Sequence, residues 1–440
     1  MSYFFIGLTL SLCSLFLINF KNNGSNNLVN LFNSIWLVIL FMATTSIDGE
    51  MLTSISKDYV FITIILFIVS MNVGFLLFMP PDNDEKKLNY NNFYFKEDRL
   101  NVLMIVILIL LIVSLRESVQ YVLSGNLNAI RQSIYNEQVG TSGSLYSTGL
   151  ETILVQWILN GLILALNIVT VTGYFKKNLK FRLVVFSLLL AIVFSVLTGG
   201  RIMLMKVGIV IFTSLFVVNK YKIVKLDLQN KLIYLRKKIN PLISLIGLLL
   251  FFTIVISIGR EGSSNDSSGV VSTFSTYITT PISYYAVLLD SQFVYIEYLN
   301  GGAFFAGITQ IVDIILKNIV NYDYILPFQH LVNETSPFML VSPRVVYNAF
   351  PTIIYYFYRD FGLAGIVVDS LLFTFMISWI FKRMKKSNYN LRFESYYLLA
   401  VYILVMSILQ WAPAVNNFWI TLLAINVLTS KIFIGKHNKN

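Results

Sequence analysis

The most unusual short segment of this chain places two glycines and an arginine between two apolar stretches. Residues 195–205 are SVLTGGRIMLM, and only Thr198 to Arg201 interrupt the apolar run. Gly199 and Gly200 can adopt positive φ values in a tight reversal, and such a turn can direct free backbone N–H groups towards an anion. Arg201 carries a planar fork of donors that matches phosphate or carboxylate. The segment predicts an anion site; the alternative is a structural arginine that extends to lipid phosphate or pairs with a carboxylate.

Three other positions carry side chains that can take a proton from a reacting group. Glu261 follows Arg260 in REGSSNDSSG, which places a carboxylate next to a guanidinium. His330 is one of two histidines in the chain, and Asp360 follows Arg359 in YYFYRDFGLAG. Histidine and carboxylates are common general bases. These three side chains are therefore the candidate general bases of a catalytic site. The alternatives are that Arg260 and Glu261 form a local ion pair and that His330 is a loop histidine without a role.

An aromatic segment surrounds the last of these positions. SPRVVYNAFPTIIYYFYRDFGLAG contains Arg344, Tyr347 and Asn348, and its many rings are typical of a membrane interface. Their flat apolar faces also suit packing against sugar rings. The Asp-Phe-Gly tripeptide does not indicate a kinase, because the chain lacks a glycine-rich nucleotide loop and a catalytic-loop HRD pattern. Gly362 and Gly365 instead predict close helix packing at the start of a membrane span.

The elements that must position these residues are membrane-spanning helices. Of the 440 residues, 56% are hydrophobic and only 12% are charged. Apolar runs of about 17 residues or more recur, and each can cross a hydrocarbon core about 30 Å thick. We therefore predict an all-α, polytopic helical membrane protein with about 11 transmembrane helices, in the range of roughly 10–13. The spans are expected near residues 3–20, 28–47, 59–79, 101–115, 152–174, 182–198, 202–219, 242–259, 362–381, 395–411 and 417–434.

Basic residues orient these spans, because cytoplasmic loops collect Lys and Arg. The Lys-rich segments all fall on one face, which is therefore predicted to be cytoplasmic. They are residues 80–101, 175–182, 219–241 and 382–392. The opposite face has few lysines, among them Lys206, whose amine can extend from about one turn inside a span to the membrane surface. That face nevertheless keeps six arginines, which indicates a bound anion. They are Arg116, Arg131, Arg201, Arg260, Arg344 and Arg359.

Two longer segments lie on the extracytoplasmic face. Residues 116–151 form the shorter loop, and residues 260–361 form a large late loop whose apolar runs are broken by Pro, Gly and acidic residues. We expect those runs to be helices that lie in the membrane interface or pack on the spans, with a spanning hairpin as the alternative. Residues 1–440 as a whole are expected to form a single integral membrane domain.

Composition and motif content exclude several kinds of site. Cys13 is the only cysteine, so no internal disulfide forms. One external histidine cannot make a multi-histidine metal site, and no nucleotide or cofactor motif is present, so no metal and no cofactor are expected. The net charge of +11 arises in the cytoplasmic loops and does not indicate a nucleic-acid partner. Ionisable residues deep inside the spans are scarce, which argues against an ion-coupled transporter.

The layout resembles the Wzy family of oligosaccharide repeat unit polymerases, which serve O-antigen and capsular polysaccharide synthesis. Three features carry the resemblance: TGGR between two central spans, the large late external loop, and Asn348 followed by YYFYRDFGLAG and a span. The resemblance in architecture extends over the whole chain, while the resemblance in sequence motifs covers about 40 residues. The chain does not match a strict arginine–glycine spacing motif of some members, which leaves the roles of Arg131 and Arg344 open.

This resemblance implies a glycosyltransferase on the outer face of the bacterial inner (plasma) membrane. Such enzymes transfer a growing glycan from undecaprenyl diphosphate onto a new undecaprenyl-diphosphate-linked repeat unit, without metal. Membrane lipid and, by family analogy, a chain-length regulator protein are the expected partners. The implied diphosphate or glycan contacts are Arg201, Arg260, Arg344 and Arg359, then Arg131, Arg116, Tyr347 and Asn348; the base stays open among His330, Glu261 and Asp360.

Two other functions stay open at this point. One is a different transferase of lipid-linked sugars, such as an O-antigen ligase or a metal-using membrane glycosyltransferase. The other is a transporter of lipid-linked oligosaccharides, in which the outer arginines would be dispensable and the residues lining a cavity inside the spans would not.

Overall fold

The computed structural model describes most of the chain. Described are residues 2–22, 27–44, 57–80, 93–126, 129–130, 133, 149–175, 179–217, 244–254, 256, 280–290, 297–320, 326–342, 345–347, 350–387 and 390–436. The predicted site residues Arg131, Arg260, Glu261, Arg344 and Asn348 lie outside these ranges.

Helices dominate the described part of the chain. They are α1 (Ser2–Asn22), α2 (Asn27–Thr44), α3 (Lys57–Phe78), α4 (Glu97–Ser114), α5 (Arg116–Leu123), α6 (Gly149–Phe175), α7 (Phe181–Leu197), α8 (Ile202–Val217), α9 (Ser244–Ile254), α10 (280–290), α11 (Ala306–Val320), α12 (Pro327–Thr335), α13 (Thr352–Phe361), α14 (Leu363–Lys386), α15 (Leu391–Met406) and α16 (Asn416–Leu428). Every stretch predicted to span a membrane overlaps one of these helices, although α15 ends at Met406 and α16 at Leu428, before the predicted ends of their spans. Within α6, Ile153–Leu159 is a π-helix.

Length and composition distinguish two groups among the described helices. Four helices are long and apolar enough to cross a membrane, namely α1, α3, α6 and α14, and the α4–α5 pair, bent by 78°, makes five if it is one span. Five more helices, α2, α7, α8, α9 and α16, contain shorter apolar stretches of 10–17 residues. The structure therefore fits a helical membrane protein, while a total of about 11 spans stays a prediction.

The prediction of an all-α chain leaves out two short antiparallel strand pairs. They are β1 (Phe93–Phe95) with β4 (Ile434–Lys436), and β2 (Met339–Ser342) with β3 (Val345–Tyr347). The β2–β3 pair lies in the large late loop, and its register is irregular between Leu340 and Ser342. Three- and four-residue strands are too short to show the alternating pattern by which strands are recognised in a sequence.

The chain divides into two compact units that are each built from separate stretches, a division that hydropathy alone does not indicate. Unit 1 comprises Met1–Leu88, Val271–Ser387 and Ile403–Phe418. Unit 2 comprises Asn89–Val270, Asn388–Tyr402 and Trp419–Asn440.

Unit 1 is organised around the close packing of α3 on α14. Gly74 of α3 faces Thr374 of α14, and a Cβ at position 74 would lie 1.8 Å from the Thr374 hydroxyl oxygen. Small residues at such a contact let two helix backbones approach. Beside this pair, the rings of Phe304, Phe357 and Trp411 lie with centroids 4.7, 5.3 and 5.8 Å apart. Trp411 Nε1 also donates to the Phe304 carbonyl at 2.8 Å, which ties the segment before α11 to the one between α15 and α16.

Unit 2 contains three helices, α6, α7 and α8, that pack against one another. Buried polar side chains set the register between the first two. Asn167 Nδ2 donates to the Ser187 carbonyl at 3.1 Å, and the hydroxyls of Thr170 and Ser187 are 2.9 Å apart. All three residues are buried. Because a polar group in apolar surroundings needs a partner, a shift of one residue between α6 and α7 would break these bonds.

The large late loop contains helices where the sequence predicts them. Helix α10 lies in the apolar stretch 277–296, and α11 lies in GGAFFAGITQIVDIIL. Helix α12, the strand pair β2–β3 and α13 follow along the chain. The helical conformation of these two runs is confirmed, and their position in a membrane interface stays a prediction.

Gly362 and Gly365 lie at the start of α14, where the close helix packing that the sequence predicts is confirmed. Gly362 separates the helices with a φ of 65°, a value that only glycine adopts without strain. A Cβ at Gly365 would lie 2.1 Å from the carbonyl oxygen of Phe357. The obstacle is backbone, so the two helices cannot keep their present distance if residue 365 carries a side chain.

We expect Gly365→Ala to lower the melting temperature of the purified protein by several degrees, because α13 must shift to admit the methyl group. Gly247→Ala in α9 is the matched control, since nothing lies within 4 Å of a Cβ there and alanine has the higher helix propensity. Thermal unfolding in detergent measures both. Equal melting temperatures for the two variants would contradict the close approach of α13 and α14.

Candidate functional site

A buried arginine–glutamate pair joins α12 to α13. Arg359 Nε donates to Glu334 Oε2 at 2.9 Å, and Nη2 donates to Oε1 at 2.5 Å, which is the two-pronged geometry of a strong ion pair. Arg359 Nη1 donates to the Glu297 carbonyl at 2.8 Å, and the Tyr355 hydroxyl donates to Glu334 Oε2 at 2.5 Å. Arg359 is only 3% exposed, so its donors are directed at the protein itself.

Burial and pairing act on Arg359 in opposite directions. Burial disfavours the charged guanidinium, while the hydrogen bond and the charge of Glu334 favour it. The net result is that the pKa of Arg359 lies above its usual value, so the guanidinium stays charged at any physiological pH. Loss of one partner would leave an uncompensated charge in a site that is largely removed from water, which is destabilising.

This arrangement gives Arg359 a structural task. It holds α12 and the segment at Glu297 against α13. The sequence predicts Arg359 as a diphosphate contact, and that role stays a prediction which requires the pair with Glu334 to open.

Asp360, the next residue of α13, holds the turn that precedes α11. Its Oδ1 accepts the N–H of Ala303 at 2.7 Å, and its Oδ2 accepts the N–H of Phe304 at 2.8 Å. Burial raises the pKa of Asp360, although these N–H groups and a hydrogen bond with Asp369 act against the rise. The side chain is fully buried and both oxygens are engaged. Its predicted role as the base is not favoured by this geometry.

His330 lies on α12, one turn before Glu334, and its side chain is partly exposed. Residues four apart in a helix are neighbours on one face, with about 5–6 Å between their Cβ atoms. Because Arg359 and Tyr355 hold Glu334, the helical turn that carries His330 is fixed against α13. His330 therefore combines an accessible imidazole with a rigid support, which is what a catalytic side chain requires.

Tyr347 lies at the edge of the same region. Its ring meets the ring of Tyr284 edge-on, with centroids 5.3 Å apart. The Tyr284 hydroxyl donates to the carbonyl of Thr335, the last residue of α12, at 2.8 Å. Tyr347 is buried, so it packs on α10 in this structure, and stacking on a sugar stays a prediction. The structure thus gathers His330, Tyr347, Arg359 and Asp360 around α12 and α13.

In unit 2, the TGG segment ends α7 with a Schellman motif. The Gly200 N–H donates to the Ser195 carbonyl at 3.0 Å, and the Gly199 N–H donates to the Val196 carbonyl at 3.2 Å. Gly199 has a φ of 58°, so the predicted positive φ is confirmed. The prediction that these glycines present free N–H groups to an anion is wrong, because both N–H groups are used inside the cap.

Two of the predicted phosphate-binding arginines lie in the described part of unit 2. Arg201 directly precedes α8, its carbonyl accepts the Met205 N–H at 3.1 Å, and its side chain is partly buried. Arg116 begins α5 directly after the bend from α4, and it is exposed. For both arginines, anion binding stays a prediction.

Glu334 and Tyr355 are members of the unit 1 cluster that the sequence alone does not single out. Glu334 lies four residues after His330, and Tyr355 lies four residues before Arg359, so each shares a helix face with a candidate. That spacing was visible in the sequence. It does not show that the two faces meet, because Glu334 and Arg359 are 25 residues apart and belong to different helices.

Within the ranges that the structure describes, no three His, Cys, Asp or Glu side chains are grouped so that they could hold a metal ion. Comparisons of the chain with protein-family models, with curated proteins and with solved structures found no match. The function must therefore be argued from the residues themselves.

We expect Arg359→Met to destabilise the protein by about 3 kcal/mol, because it leaves the largely buried Glu334 carboxylate without its partner. The matched control is Arg182→Met, which removes an exposed arginine 3.2 Å from Glu97 and should cost less than about 1 kcal/mol. Chemical unfolding of the purified variants in detergent measures both losses. If Arg359→Met costs no more than Arg182→Met, the pair does not hold α12 to α13.

Proposed function

We propose that this chain polymerises undecaprenyl-diphosphate-linked oligosaccharide repeat units by metal-independent glycosyl transfer on the outer face of the bacterial inner (plasma) membrane. The resemblance of TGGR, the late loop and YYFYRDFGLAG to the Wzy family supports the proposal. The apolar helices support a membrane location. The arrangement of α12 and α13 supports an acid–base function at His330.

The proposed reaction is a direct displacement at a sugar carbon. A hydroxyl of the new lipid-linked repeat unit attacks the anomeric carbon of the growing glycan, and the bond from that carbon to the diphosphate oxygen breaks. The electron pair leaves with undecaprenyl diphosphate, and the hydroxyl proton passes to a base of the protein. The energy lies in the sugar–diphosphate bond, and positive side chains stabilise the charge of the departing diphosphate.

The single observation that carries the choice of base is that His330 is partly exposed and lies one helical turn before Glu334, which Arg359 holds. Among the candidate bases, Glu261 lies outside the described residues, and Asp360 is fully buried with both oxygens on backbone N–H groups. His330 alone is described as partly exposed. We therefore assign the base to His330 and a positioning role to Glu334, which keeps the helical turn beneath the imidazole in place.

The remaining outer arginines are assigned to the diphosphate. Arg201, Arg116, Arg131, Arg260 and Arg344 stay candidates, because an arginine fork matches phosphate oxygens better than lysine does. Arg359 is set apart from them by its buried partner. The lipid-linked donor and acceptor, membrane lipid and a chain-length regulator are the proposed partners.

Deletion of the gene followed by gel separation of the surface glycans tests the proposal. A polymerase mutant should keep single repeat units attached to their carrier or core and lose all longer chains. Long chains in the deletion strain would contradict the polymerase, and complete loss of surface sugar would indicate a ligase or a transporter instead.

Complementation of the deletion strain tests the base. We expect His330→Gln to leave single repeat units although the protein reaches the membrane, because glutamine cannot accept the proton. His437→Gln changes the only other histidine, and it should restore the full length distribution. Restoration by His330→Gln would overturn the assignment of the base without affecting the proposal of a polymerase.

A further inference from the structure

Lys206 is buried inside unit 2. It lies in the second turn of α8, and the residue is only 4% exposed. The side chain is therefore packed among other residues of the unit, and the extension of its amine to the membrane surface stays a prediction. Among the residues that the structure describes, none forms an ion pair or a hydrogen bond with this amine. An ammonium group in such a place is costly unless an anion comes to it.

Several buried polar atoms of unit 2 have no hydrogen-bond partner among the described residues, and two of them lie on the helices that pack against α8. They are the Ser195 hydroxyl near the end of α7 and Asn160 Oδ1, directly after the π-helical segment of α6. Ser195 itself is fully buried. Buried polar atoms in proteins are almost always paired, so two such atoms near a buried lysine could serve as hydrogen-bonding groups for a bound ligand.

The geometry of the helices places these atoms at the same height. Asn167 and Ser187 are level, because they share hydrogen bonds between α6 and α7. Asn160 lies two turns before Asn167, about 10 Å along α6, and Ser195 lies about 12 Å beyond Ser187 along α7. The helices run in opposite directions, so both steps lead towards the end of the bundle that carries the TGGR turn.

Lys206 reaches that height from the third helix. The TGGR turn connects α7 directly to α8, and the two helices pack on each other and on α6. Ser195 is two residues before the end of α7, and Lys206 is four residues after the start of α8. Their heights differ by about 3 Å, which is less than the length of a lysine side chain.

We propose that Lys206, Ser195 and Asn160 form an internal site for a phosphate group carried by a lipid. The ammonium of Lys206 pairs with phosphate oxygens, and the Ser195 hydroxyl donates to them. Asn160 Oδ1 accepts a hydrogen bond from a hydroxyl of the group that is attached to the phosphate. A sugar on a polyprenyl diphosphate and a glycerol headgroup of a phospholipid both offer this chemistry. The choice of polyprenyl diphosphate rests on the proposed function, while the phosphate site itself does not.

Binding to the purified protein in phosphatidylcholine nanodiscs tests the site. Undecaprenyl diphosphate is one probe, and phosphatidylglycerol is the other. We expect Lys206→Met to weaken binding of undecaprenyl diphosphate by about tenfold or more, and Lys206→Arg to retain most of it. Lys180→Met is the matched control, because it removes an exposed lysine of the same unit and should leave binding unchanged.

The melting temperature of each variant without a probe separates a ligand site from a structural lysine. Lys206→Met should melt no earlier than the natural protein, because it removes an unpaired buried charge. A clear fall would show that Lys206 has a structural partner and would overturn the proposal. Ser195→Ala removes one oxygen only and should weaken binding by about fivefold, which provides a second test if Lys206→Met does not fold.

The two probes distinguish the sources of the phosphate. Weaker binding of undecaprenyl diphosphate alone supports a site for the lipid-linked substrate. Equal weakening for phosphatidylglycerol supports a site for bilayer phosphate. Unchanged binding of both probes overturns the site. These outcomes are independent of the gel assay, since a deletion strain with normal glycans would refute the polymerase and leave a positive binding result intact.

Discussion

A guanidinium that is removed from water must direct its donors at acceptors, and this requirement organises the late loop of unit 1. Arg359 meets it with the carboxylate of Glu334 and the carbonyl of Glu297. The neighbouring Asp360 accepts hydrogen bonds from the buried backbone N–H groups of Ala303 and Phe304, which also need a partner. Two adjacent residues of α13 thus hold α12, the segment before α11 and α13 itself in one arrangement.

Charged residues that look alike in the sequence therefore differ in role, because some of them hold the structure together and others are left as candidates for binding or catalysis. Arg359 and Asp360 support the structure, so the chemistry that we propose for this chain is assigned to groups that they position or that lie elsewhere. His330 gains its fixed place from this support. Lys206 is one of the few lysines on the predicted outer face. Because the structure buries it, we assign it to a proposed phosphate site.

Hydropathy predicts the helices of this chain well, because a stretch that must satisfy its backbone away from water has few alternatives to a helix. The positive φ of Gly199 was also predictable, since glycine adopts such values without strain. The partners of Arg359 were not, because Glu334 is 25 residues away and a local pattern does not show which faces of two helices meet. The burial of Lys206 was hidden for the same reason, as the packing of α6, α7 and α8 decides it. The prediction of free N–H groups at Gly199 and Gly200 fails because the helix cap uses the same donors that an anion would need.

Reconstitution tests the account most directly. The purified protein is placed in liposomes with an undecaprenyl-diphosphate-linked repeat unit and a metal chelator, and the products are separated by length. The account predicts a ladder of glycans that each differ by one repeat unit, together with release of undecaprenyl diphosphate in step with each added unit. Repeat units that stay single, or a ladder that forms only when a divalent metal is restored, would contradict it.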